Sequence, residues 1–98
     1  FMDSYKKTYK VDRIFGLGWA APGYDCMYLL AAAIRQAGST DGAKIRAALE
    51  NLNGPVDGVL MRYAQPFTKD SHELFRDSSK VLMATIRKGE VVRVTDAR

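Results

Sequence analysis

The chain has 98 residues, 15 Lys plus Arg against 11 Asp plus Glu for a formal net charge of +4, and 47% hydrophobic residues. Folding at this length hides roughly two-thirds of the extended chain's surface, enough for one modest core, so a two-domain enzyme is excluded within these residues. The longest apolar run, residues 26–34, is far short of the ~20 residues that cross a bilayer, and the single cysteine, Cys26, permits neither an internal disulfide nor a thiolate-rich metal site.

In chain order, Phe1, Tyr5 and Tyr9 recur every four residues and predict a helix over 1–9 whose aromatic stripe packs into the core. The chain opens on Phe1-Met2, inside that helix and without the charged and apolar regions of a signal peptide, so it is expected to be a piece of something longer. Lys6, Lys7, Lys10 and Arg13 are sparser than a phosphate-binding stripe; they read as solvated surface, and no nucleic-acid partner is expected. Ile14-Phe15 predicts a short extended stretch, followed by Gly16 and Gly18. Pro22 suits the first position of a helix over 22–37, with Asp25 in its first turn and Gly38 as its stop. The apolar residues in the middle of that helix leave almost no polar face, which predicts burial on more than one side.

Ser39, Thr40 and Asp41 offer acceptors for a helix over 41–52, amphipathic through Ile45, Ala48, Leu49 and Leu52. Asn53-Gly54-Pro55 ends it, and residues 56–63 predict a short strand broken by a turn or bulge at Asp57-Gly58. Residues 64–79 read as a polar loop with one helical turn, and 81–87 with 91–94 as a hairpin in which Gly89 takes a positive φ.

Chemistry is sparse in this pattern. A nucleophile would need Cys26 to meet His72, the one histidine, yet Cys26 lies in the apolar run, where burial makes a thiol inert. Asp70, His72, Glu73 and Asp77 lack the spacing of a zinc or calcium site and read as a solvated loop; Gly16-Leu17-Gly18 lacks the third glycine of a dinucleotide fingerprint. Neither catalysis, a metal nor a cofactor is expected. Trp19 is different: it sits between an extended stretch and a helix, where open α/β sheets place ligands, and its ring can close over a small solute while Tyr24 supplies a hydroxyl. Core packing is the competing role for both rings.

The run Gly18-Trp19-Ala20-Ala21-Pro22-Gly23-Tyr24-Asp25, continued by Leu29-Leu30-Ala31-Ala32-Ala33-Ile34, then Ala37-Gly38-Ser39-Thr40-Asp41 and Ile45-Arg46-Ala47-Ala48-Leu49-Glu50, resembles the C-terminal part of periplasmic solute-binding proteins of the branched-chain-amino-acid type. The closing hairpin at Lys88-Gly89-Glu90 is similar to that family's last strands. The resemblance implies an α/β chain, the C-terminal fragment of a two-lobed, doubly wound type I periplasmic binding protein. In it, residues 1–78 belong to one lobe and residues 79–98 give a hairpin to the other. It implies a periplasmic protein that captures a small carboxylate solute, a branched-chain amino acid or an aromatic acid, and hands it to the membrane permease of an ABC importer. It maps an aromatic pocket residue onto Trp19 or its neighbour Ala20, with Tyr24 beside them, while the groups that grip the solute's ends lie earlier in the family's chain. Cys26 departs from the small apolar residue usual at its position. The alternative is a ligand-sensing receptor or regulatory module of the same fold, which only flanking sequence would separate. Isolated residues of this kind, with open strand edges and an apolar helix, are expected to self-associate.

Overall fold

A computed structural model of the chain describes residues 1–74, 78 and 81–94. Three helices precede four short strands: α1 (Met2–Tyr9), α2 (Leu17–Ala37), α3 (Gly42–Glu50), β1 (Val56–Asp57), β2 (Arg62–Tyr63), β3 (Ala84–Arg87) and β4 (Glu90–Arg93). The class is mixed α and β. The described strands form two separate antiparallel pairs, β1 with β2 and β3 with β4. No helix among the described residues is long and apolar enough to cross a membrane.

Helix α1 ends on Lys10, which turns left-handed at φ 53, and none of its residues is buried. The aromatic stripe therefore does not enter the core as its spacing predicts. Residues 14 and 15 form no strand, and α2 begins five residues before Pro22. Gly16 explains the early start: at φ 71 it takes the left-handed conformation open to glycine, and its carbonyl accepts from the amides of both Trp19 (2.8 Å) and Ala20 (3.0 Å). Pro22 then sits in the helix interior, within two turns of the start, and the bond it cannot donate is the one to the carbonyl of Gly18, an exposed residue. At the other end Gly38 caps the helix at φ 58, its amide bonding Ile34.

The expectation of all-round burial fails for α2. Its buried residues are Ala21, Asp25, Leu29 and Ala33, a single stripe at four-residue spacing, and Tyr24, Met27 and Tyr28 face outward. The reason is geometric: α3 and the β1–β2 hairpin pack against that one side of it.

Helix α3 starts as its sequence predicts, with Asp41 as N-cap accepting from the Lys44 amide at 3.1 Å. The wholly buried Ala33 and nearly buried Ala48 let α2 and α3 approach closely, and the core closes around them with Leu29, Leu52 and Tyr63. Ile45, Leu49, Val56, Met61, Phe67 and Leu74 flank it. Burying a leucine such as Leu29 contributes about 2 kcal/mol. The Gln36 amide ties the end of α3 to α2, donating to the Asn51 carbonyl and accepting from the Asn53 amide, each at 2.8 Å.

Residues 56–63 are a tight hairpin, not one interrupted strand: Val56 pairs with Tyr63, Asp57 with Arg62, and the Gly58 amide donates to Met61 across the turn. In the loop that follows, Thr68 and Ser71 form a bridge; residues 75–77, 79 and 80, on which the expected helical turn partly falls, lie outside the described residues. The last hairpin turns at Lys88 and Gly89, with φ 51 and 80, two successive positive values that suit the twist of a two-residue turn. It contributes no residue to the core.

Candidate ligand site

Two of the three residues singled out in the sequence come together. Ala20 and Tyr24, one turn apart on α2, line an open groove of about 440 Å³ whose other wall is Tyr5, Thr8 and Tyr9 of α1. Phe1 bridges the walls, its ring 5.8 Å from Tyr5 and 5.0 Å from Tyr24. Rings continue along each helix, Tyr5 to Tyr9 at 4.5 Å and Tyr24 to Tyr28 at 4.8 Å, in tilted contacts of the favourable kind. The Tyr24 hydroxyl donates to that of Tyr28 at 2.9 Å. That bond, with slight desolvation and the nearby Tyr28 and Asp25, raises the Tyr24 pKa, so the hydroxyl stays protonated at neutral pH. The groove's size suits a small ligand, with aromatic walls and a few hydroxyls to orient it.

Trp19 is elsewhere. It stands in the first turn of α2, 87% exposed, its Cδ1 lying close over Gly16. One residue turns a helix by about 100°, so a neighbour of Ala20 faces a different side.

The most heavily bonded polar group of this region is one whose role the sequence did not announce. Asp25 is 1% exposed, in the third turn of α2 and away from the helix start where its charge would meet the dipole. Its Oδ1 accepts from the Val59 amide (2.6 Å), and its Oδ2 from the Leu60 amide (2.9 Å) and the Tyr63 hydroxyl (2.7 Å). Burial pushes this carboxyl's pKa up; the bonds from Leu60, Val59 and Tyr63 outweigh it and hold the pKa below the usual carboxylate value. Burial, together with the bond to Asp25, pushes the Tyr63 hydroxyl well above its ordinary range. The turn between β1 and β2 is thereby clamped onto α2.

Cys26, next in sequence, is exposed, contrary to the burial read from its apolar neighbours. It points away from the stripe that carries Asp25. Its thiol is expected to be modified by a thiol-specific disulfide reagent in the native protein without prior unfolding; protection that disappears on adding denaturant would contradict this placement. His72 is held at the far side of the core, its Nε2 3.0 Å from Oε1 of Glu50, which also takes the Arg46 guanidinium at 2.8 Å. No contact joins it to Cys26 among the described residues. The Arg46 bond, against some desolvation and aided by His72, lowers the Glu50 pKa. These three groups rim a second, apolar groove over Ile45, Leu49 and Phe67. Asp77, of the acidic cluster around His72, lies outside the described residues; among those described, no three metal-ligating side chains converge.

Comparison of the chain with protein-family models, curated proteins and solved structures gives no match.

Proposed function

We propose that this chain is the C-terminal part of a two-lobed α/β solute-binding protein, the periplasmic capture component of an ABC importer, and that it binds a small carboxylate solute without altering it. The observation that carries this reading is the groove between α1 and α2, where Ala20 and Tyr24 meet the rings of Phe1 and Tyr5 in a space fit for one small solute. The outward-facing Met27 and Tyr28 and the bare ring of Trp19 support it as well, since they are surfaces for an adjoining lobe to cover. In this arrangement residues 1–78 belong to one lobe and the closing hairpin to the other. The solute is a branched-chain amino acid or an aromatic acid, whose apolar body the aromatic walls receive.

Calorimetric titration of the whole polypeptide carrying this segment, with leucine, isoleucine, valine and benzoate as probes, tests the reading. At least one probe is expected to bind saturably and, at a hundred times its dissociation constant, to stabilise the fold by about 2.7 kcal/mol. Tyr24→Ala is expected to weaken that binding about tenfold, equivalent to about 1.4 kcal/mol. Silence from all four probes would sink the reading.

A further inference from the structure

The second groove, over α3, is left unused by the solute site. Gly42, Ile45, Arg46, Leu49 and Glu50 fall at three- and four-residue spacing on one face of α3 and form its first wall. The facing wall comes from the loop after β2. There Thr68 and Ser71 exchange both amide–carbonyl bonds, at 2.9 and 3.2 Å, and this tight pairing sets Phe67 and His72, the next residue on each side, beside one another. The space between the walls is about 710 Å³, within the range of small-molecule sites and larger than the groove between α1 and α2. Its floor, Ile45, Leu49 and Phe67, is half-buried against the core and offers no hydrogen-bonding side-chain group.

The polar groups stand together at the rim in a fixed order. Glu50 is innermost, its side chain 17% exposed, and its Oε1 takes both the Arg46 Nε at 2.8 Å and the His72 Nε2 at 3.0 Å. Arg46 is outermost at 70% exposure. Only its Nε is engaged, so its two terminal amino groups have no partner among the described residues. An incoming group therefore meets the guanidinium before the carboxylate, whose charge two donors already offset. A guanidinium anchored through Nε and open at both terminal nitrogens is a fork that fits a carboxylate.

We propose that this groove binds a medium-chain fatty carboxylate, its alkyl chain along Ile45, Leu49 and Phe67 and its head on the terminal amino groups of Arg46. Glu50 positions that guanidinium and touches no ligand atom. An alkyl chain fits better than the C-terminal end of a peptide, because the floor has no polar side chain to meet a peptide's amides. The site lies on α3 and the loop after β2, apart from the groove between α1 and α2.

Titration of the full chain with hexanoate, octanoate and octanol, followed by calorimetry and by backbone amide shifts, tests the assignment. Octanoate is expected to bind saturably, roughly two- to fourfold tighter than hexanoate per added methylene. It is expected to bind about tenfold tighter than octanol, with shifts at Ile45, Arg46, Leu49 and His72. Arg46→Gln, a change at an exposed position, is expected to bring octanoate down to the affinity of octanol and to leave octanol unaltered. No saturation, no gain with chain length, equal affinity for octanoate and octanol, or shifts confined to Tyr5 and Tyr24 would each overturn the proposal. Tighter binding of acetyl-leucyl-leucine than of octanoate would overturn it in favour of a peptide end. Failure here leaves the solute reading standing, because that rests on α1 and α2.

Discussion

Asp25→Ala is expected to lower folding stability by about 3–5 kcal/mol, which for a chain of this size removes most of what holds it folded. The carboxylate is buried, and its removal takes the acceptor from three donors at once, the Tyr63 hydroxyl in a buried bond and the Val59 and Leu60 amides in partly buried ones. Asp25→Asn keeps the shape and part of the bonding, so a smaller loss of about 1–3 kcal/mol is expected. The two variants also separate in their response to acid. Because the folded pKa of Asp25 lies below the unfolded one, the carboxylate contributes its full stability above the unfolded value of about 3.9, and that contribution fades as pH falls toward and through the folded value. Urea denaturation at a series of pH values is expected to show the wild type losing stability below about pH 4, with that component absent from Asp25→Asn. Equal acid sensitivity in the two proteins would mean that the clamp is not what acid releases.

The second large effect comes from the other side of the same clamp. A methyl group added at Gly58 would lie 2.5 Å from Cε2 of Tyr63 and 2.6 Å from Cγ and Oδ2 of Asp25, inside any real carbon contact. None of these atoms is the free end of a flexible side chain: the ring is in the core and the carboxylate is held by three donors. Gly58→Ala is therefore expected to cost about 1–3 kcal/mol by overpacking. Gly54→Ala, where the added methyl meets nothing within 4 Å, is the matched control and is expected to be near neutral. Combining Gly58→Ala with Asp25→Ala should cost less than the two separately, because truncating the carboxylate removes part of what the methyl strikes. Full additivity in denaturant titrations would show that the two positions do not share the contact.

Much of the local structure was legible. Asp41 before the Ile45, Ala48 and Leu52 repeat fixed α3 within a residue or two, and Gly89 marked the last turn, with Lys88 joining it at positive φ. The start of α2 was not, because Pro22 satisfies the rule for a first helical residue and also tolerates the second turn of a helix that begins at an exposed glycine. Asp25 was misread for a different reason. Its partners lie 34, 35 and 38 residues further on, beyond the reach of any local pattern. Counting apolar residues hid the stripe as well, since the buried set of α2 includes the acid and excludes Met27 and Cys26. In the candidate site, Ala20 and Tyr24 share a face through helical spacing, whereas Trp19, singled out for its place between an extended stretch and a helix, faces another side of α2. The aromatic stripe of α1 was correctly spaced but wrongly assigned to the core, because spacing shows that rings share a side of a helix and not what that side meets.

The chain has one tryptophan and one cysteine, and both stand exposed on α2, seven residues and so about 10 Å apart along its axis. Nature has thus installed an emitter and an attachment point for a quencher on either side of Pro22. A nitroxide joined to the sulfur would dim the indole while the rod is wound and let it brighten as the opening turn frays, so that the breathing of this segment could be watched optically without altering another residue.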